Sequence, residues 1–401
     1  MATESDGGSN QPPLEPIDWD AHSAATVPIP WRLVLFAVGL GAISLAFLYS
    51  QATGSDVLYR WSPKPLTWVY RVSLLVLLVF GVPALLSDRD RTRRYLSRLR
   101  ENWIATGSLV VLAGLVVFAQ LGPMVMGRPR ANPIASYQPP VGFGSPAGVV
   151  TINCIGPVVG PPGADSCMGT WAYPLGTGPI GQNMISLLAS GLHVSLQVAV
   201  ITVAIMIPIA TGVGIVAGYI GGPVDTVLMR YVDVQQSVPA FVVYIILVFA
   251  FGSSLFLLVL VFGLFNWGSI ARLVRSETIQ RRESQYVDVA RGAGVGPLRI
   301  IRRHILPNVS NAVVVGATQK IPQLILLETG LTYIELGDVG RRFQSFGQTI
   351  ERGFAAAFGH GPMDVWWIWV LPVIVLAITV ISLSVVGDAL RDVLDPRGSK
   401  R

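Results

Sequence analysis

The sequence predicts an all-α, polytopic transmembrane helix bundle of about eight spans, and three observations predict it. Hydrophobic residues make up 52% of the chain and charged residues only 13%, against about 25% charged in a soluble domain. Apolar runs of about 20 residues recur along the chain, the length a helix needs to cross a bilayer. These runs do not alternate, which excludes the ~10-residue alternating strands of a membrane barrel. The mean hydropathy of +0.57 agrees. Forty-two glycines and 28 prolines would mark disorder in a polar chain. Here they fall among apolar runs, where neighbouring helices can satisfy the backbone groups they free.

Residues 1–30 carry Glu4, Asp6, Glu15, Asp18 and Asp20 with no Lys or Arg. That excludes a signal peptide, which starts positive and turns apolar at once; a disordered acidic tail is expected. Runs at 31–50 and 67–86 form a hairpin, and with the basic stretch after them make a unit over 31–102. A span at 104–122 and a long Gly/Pro-rich loop make a second unit, 103–191. The remaining runs, 192–218, 237–252, 255–274, 309–333 and 365–388, form a third over 192–397. The run at 237–252 reaches spanning length if its helix starts near Asp225 and bends at Pro239. Gly252-Ser253-Ser254 is the expected reversal before the next span.

Charge sets the orientation. The chain has 26 Arg and three Lys. With both termini in the cytoplasm, the cytoplasmic segments hold 19 of these residues and the external ones seven, as the positive-inside rule requires. A multi-pass cell-membrane protein facing lipid is expected. The basic residues sit beside apolar spans, so topology accounts for them and no nucleic-acid partner is implied. The segment 123–191 is then external and holds both cysteines, Cys154 and Cys167. A disulfide there would contribute about 3 kcal/mol of local order in the chain-entropy model; two free thiols are the alternative.

The most informative segment is the cytoplasmic loop, 275–307. Its local signals predict a helix from Gln285 to about Ala293, with Tyr286 and Asp288 in its first turn. A break follows at Gly294 and Gly296. A second helix starts at Pro297, comfortable in a first turn, and runs to Ile305 with a stop at Pro307. Small residues at the bend (Ala290, Ala293, Gly294) would let another protein approach closely. A charged loop that merely obeys the positive-inside rule would not need this Gly and Pro punctuation.

This segment resembles the EAA loop of ABC importer permeases, in which an acidic-Ala-Ala triplet is followed by Gly and later by Leu-Pro. Asp288, Ala290, Gly294, Leu306 and Pro307 occupy those places, with Asp288 for the usual Glu and Val289 for the first Ala. Other segments are similar to the C-type subunit of oligopeptide and dipeptide permeases. They are Tyr173 to Met184, Ala217 to Gly222 with Asp225 and Leu228 to Asp233, Glu328 to Gly337, and Gly387 to Arg397. The likeness covers about 104–397 and leaves out the first two spans.

The resemblance implies a permease subunit that forms half of a path across the membrane. Its partners would be a homologous permease, two cytoplasmic ATPases carrying ATP and Mg, and an external substrate-binding protein. It implies ATPase docking at the 275–307 loop, His304 included. The chain itself would be no enzyme and would bind no cofactor. It has no Gly-Lys pair and so no GxxxxGK[ST] phosphate loop. Gly212-x-Gly214 with Gly218 lies in an apolar span and reads as a close helix contact. His22, His193, His304 and His360 are scattered without metal-ligand spacing. Lys320 and Glu328 lie eight residues apart on one face of the seventh span, either lining the path or serving structure as an ion pair or a snorkelling Lys320. A stand-alone secondary transporter or channel would call for an internal repeat around a midplane site, and none is visible. An embedded enzyme would need paired carboxylates or a metal cluster within the spans.

Overall fold

The computed structural model describes residues 31–53, 65–81, 102–150, 153–161, 165–337 and 345–394. The acidic tail, the arginines of 82–101 and the last residues of the C-terminal motif lie outside the described residues. Helices occur at all eight expected places. They are α1 (Trp31–Thr53), α2 (Pro65–Val76, with a π turn at Leu77–Gly81), α3 (Trp103–Met126), α4 (Met184–Ile220), α5 (Gly222–Ser237) with α6 (Ala240–Phe251), α7 (Leu255–Phe265) with α8 (Gly268–Arg282), α11 (Leu306–Tyr333) and α13 (Trp366–Leu394). Between them lie α9 (Gln285–Gly292), α10 (Pro297–Ile300) and α12 (Phe346–His360).

Five of these helices are long and apolar enough to cross a membrane, or six if the bent pair α5–α6 is one span. The other two expected spans fall short for separate reasons. The described part of the second run is only a short apolar helix. The helix α11 has the length, but Lys320, Glu328 and its other polar residues lower its hydropathy.

Local chemistry sets the boundaries. Asn102 caps α3 by accepting from the Ile104 and Ala105 amides, the usual use of an Asn side chain at an N-cap. The helix then runs through Pro123, where the sequence suggests a loop, and ends at Gly127 with φ 72°. One proline in a last turn removes a single hydrogen bond and need not end the helix before it. Asn183 caps α4 through the Ile185 amide at 2.9 Å, so that span starts eight residues before the apolar run does. At 37 residues, α4 is about 55 Å long and projects beyond a ~30 Å hydrocarbon core.

The bend between α5 and α6 is 65°. Pro239 denies the helix a donor and forces Val238 into an extended conformation. Gly252, at φ 81°, makes the reversal, and Ser254 caps α7 through the Leu257 amide.

The core is built around α4, whose residues from Met184 to Ala199 are almost all buried. Leu66 and Tyr70 of α2 join this core. The Tyr70 hydroxyl accepts a hydrogen bond from Gln120 of α3 at 2.5 Å. The outer helix α1 rests on α2, with Phe47 edge-on to Trp68 at 5.4 Å, and exposes most of its surface.

The 123–191 segment is not a plain loop. It contains a small antiparallel sheet of order β1-β3-β2, with β1 (Gly144–Pro146), β2 (Val158–Val159) and β3 (Ser166–Met168). Cys167 on the central strand faces Ser145 and Val158 and is disulfide-bonded to Cys154, Cα to Cα 5.7 Å. The sheet and the segment after it are fastened to residues around the start of α13. Ser145 donates to the Asp364 carbonyl at 2.9 Å, and the Trp367 indole donates to the Thr177 carbonyl at 2.9 Å. These anchors lie outside the disulfide loop. Replacing both cysteines by Ser is therefore expected to cost about 3 kcal/mol of order in the sheet and leave the helices intact. Hydrogen exchange checks this through faster exchange in 144–168 with unchanged exchange in α4.

Candidate functional site

The basic loop begins as helix. The α8 helix continues to Arg282, past the expected end of its span, and Ser284 closes it with a hydrogen bond to the Arg281 carbonyl. The short α9 follows and ends at a glycine turn. Gly294 has φ 77°, its amide meets the Arg291 carbonyl, and the Val295 amide meets Ala290. This left-handed helix ending favours glycine. A Cβ at Gly294 would meet nothing within 4 Å, so the backbone conformation requires glycine there and crowding does not.

Gly296 leads into α10, with Pro297 in its first turn. The expected stop at Pro307 does not occur. A π turn over Ile301–Ile305 joins α10 to α11, and Pro307 sits in the first turn of α11. A proline ring normally clashes with the carbonyl four residues back. The widened π turn relieves that clash, so the chain stays helical.

One face of this loop holds it to the bundle. Val287, Ile300 and Ile305 are fully buried, as is Val309 just beyond the loop. The other face is open, with Val289 72% and Leu298 78% exposed. Tyr286, Asp288, Ala293, Gly294, Pro297, Leu306 and Pro307 are exposed as well, while Ala290 and His304 are half-buried. Tyr286 on α9 and His304 on the π turn face each other, ring centroids 6.0 Å apart. All the sequence-predicted loop residues therefore share one compact element. Asp288 pairs with Arg291 at 3.4 Å, and the Arg291 guanidinium lies over the Tyr219 ring. Tyr219, Arg282, Glu283, Asp288 and Arg291 line an open polar recess of about 530 Å³ beside them.

The loop is tied to the core through α8. A Cβ at Gly214 of α4 would lie 2.6 Å from the Ala271 carbonyl oxygen, and one at Gly218 would lie 2.8 Å from that of Arg275. Glycine at these two places lets α4 and α8 touch backbone to backbone, whereas Gly212 faces open space. Arg275 forks onto the Asp225 carboxylate of α5, and Arg272 pairs with Asp233 at 2.8 Å. The arginine pairs escaped the sequence reading because their partners lie 50 and 39 residues away. An acidic residue in the first turn of α5 was the one local signal.

Lys320 and Glu328 are not brought together. Among the described residues, the Lys320 ammonium donates to Gln323 at 3.3 Å and meets no carboxylate. Glu328 is 0% exposed and accepts from Ser195 of α4 at 2.7 Å. Among the described residues, no group of His, Cys, Asp and Glu could hold a metal ion.

Residues 210–400 match the family described as "Binding-protein-dependent transport system inner membrane component". The chain is 34% identical over 222 residues to the oligopeptide transport system permease protein OppC of Haemophilus influenzae, covering 55% of this chain and 70% of that one. It is 30% identical over 316 residues to the dipeptide transport system permease protein DppC of Bacillus subtilis, covering 79% and 87%. With OppC of Mycobacterium tuberculosis it shares 33% identity over 225 residues, covering 55% and 75%.

Proposed function

This chain belongs to the family of binding-protein-dependent transport system inner membrane components, and from that premise we propose that it is a permease subunit of an ATP-driven importer of di- or oligopeptides. The cargo class rests on relatives named for oligopeptide and dipeptide transport. The chain forms half of the path and a homologous permease the other half. Two cytoplasmic ATPases, which bind ATP and Mg, dock on the 275–307 loop, and an external binding protein delivers the peptide. Both termini lie in the cytoplasm. Lys320, half-buried and without a carboxylate partner among the described residues, faces the path.

The observation that carries this reading is the two-sided loop. Its buried face makes it part of the bundle, and its exposed apolar face needs a partner, since exposed apolar patches mark interaction sites. The α4–α8 glycine contact turns movement of the loop into movement of the spans, a rigid element biasing a two-state equilibrium. The experiment is purification of the tagged chain from membranes, with peptide uptake measured in cells carrying or lacking it. ATPase subunits should come with the chain, and uptake should depend on both. Uptake that persists without any ATPase would support a stand-alone transporter and sink this reading.

A further inference from the structure

The exposed faces of two long helices suit lipid. On α3, Val110, Val117 and Leu121 are exposed. Between Val373 and Ile381 of α13, the exposed residues are Val373, Ile374, Ala377, Ile378 and Ile381, all apolar. The exposed face of α11 differs. From Gln319 to the end of that helix the exposed residues are Gln319, Gln323, Leu326, Gly330 and Tyr333. Steps of four and three residues keep them in one stripe along the helix. Lys320 lies at the edge of this stripe and donates to Gln323 at 3.3 Å.

These polar groups sit half-way along the helix. α11 has 28 residues, about 42 Å of helix, and Lys320 is near its middle. Both faces of a ~30 Å hydrocarbon core are then farther off than a four-carbon stem reaches, so Lys320 does not snorkel. Pro322 lies inside the helix and has no N–H for the Thr318 carbonyl, which frees a backbone acceptor beside Gln319. Two side-chain amides, an amino group and a freed carbonyl at this depth do not face lipid, where each unsatisfied polar group costs several kcal/mol.

We propose that the stripe is this chain's wall of a water-filled path, with Gln319, Lys320 and Gln323 forming a polar girdle half-way across it. The girdle hydrogen-bonds to the backbone and terminal carboxylate of a passing peptide in place of water. Leu326 and Gly330 continue the wall outward, and Gly330 leaves room there because it has no side chain. Water covers this face better than a partner helix does. A helix packed on it would bury Lys320, whose hydrogen-bond partner among the described residues is a neutral amide, and an ionisable group buried so is costly. The inference rests on the transport reading for its cargo, whereas water access to the stripe is a property of this chain's surface.

The test is thiol labelling of the full chain with its partners in membrane vesicles. The two native cysteines are bonded to each other, so an added cysteine is the reactive one in this chain. Gln319→Cys, Gln323→Cys, Leu326→Cys and Gly330→Cys are compared with Ile374→Cys and Ile378→Cys, using a water-soluble maleimide on either side of the membrane, with and without ATP. A thiol reacts as the thiolate, which apolar surroundings suppress, so the stripe positions should react roughly tenfold faster or more than the two on α13. A transported peptide should slow labelling at 319 and 323, and Gln323→Leu should lower peptide uptake several-fold with ATPase recovery unchanged. Stripe positions as unreactive as the α13 pair overturn the proposal, as does their oxidative cross-linking to the second permease in place of labelling. If one variant does not accumulate, the remaining positions decide. Absence of ATPase subunits from the wild-type preparation would count against the transport reading while leaving the labelling result valid.

Discussion

A Val289→Asp, Leu298→Asp double variant is expected to insert normally and lose its ATPase partners. Both side chains point away from the bundle, so a charge there meets water in the isolated chain and costs little. In a complex each would cover an apolar socket. Burying a side chain of this size contributes about 1.5–3 kcal/mol, so each substitution should weaken association roughly 10- to 100-fold. Gly294 gives an independent probe of the same surface. Gly294→Val imposes a β-branched residue at φ 77° and projects bulk into the open space beyond the turn, so it should also abolish association. Gly294→Asn should be far milder, because Asn tolerates the left-handed region. Recovery of ATPase subunits with the tagged chain is the measurement. Full recovery with the double variant would mean that docking lies elsewhere.

The second large effect is expected at the α4–α8 contact. Gly214→Leu and Gly218→Leu each drive a side chain into backbone at 2.6–2.8 Å. Neither carbonyl can move without moving α8, so the cost should exceed the ~1–3 kcal/mol typical of overpacking. Gly212→Leu lies two residues away with nothing within 4 Å of its Cβ position and should be tolerated. Thermal unfolding of the solubilised protein, read with expression level, checks the contrast. Equal tolerance of all three would remove the close contact from the argument. Because α8 runs into the 275–307 loop, the smaller Gly218→Ala, whose Cβ still meets the Arg275 carbonyl oxygen at 2.8 Å, should shift α8 and uncouple ATP hydrolysis from uptake.

Much of the loop was legible locally. Helix, glycine turn and second helix follow from Gln285, Gly294 and Pro297 because capping and backbone preference act over a few residues. Pro307 misled for an equally local reason. Proline usually ends a helix, and nothing in the sequence announces the π turn at Ile301–Ile305 that accommodates it. The small sheet of β1–β3 and the helix α12 were not legible. Strands of two or three residues are too short to show alternation, and α12 lies in a stretch that reads as a connection between spans.

The sequence alone determined the places of the eight long apolar runs, that the chain belongs in a membrane, and that Gly294 turns the chain between two short helices. Membrane crossing demands length and apolarity, and capping demands particular side chains, so both leave marks that need no partner to be read. Only the tertiary structure decided which glycines touch another helix, that Asp225 meets Arg275, and that Lys320 and Glu328 have different neighbours. Those contacts join residues far apart in the chain, 133 positions in the case of Ser195 and Glu328. No local propensity specifies such a meeting. It follows from how the helices pack.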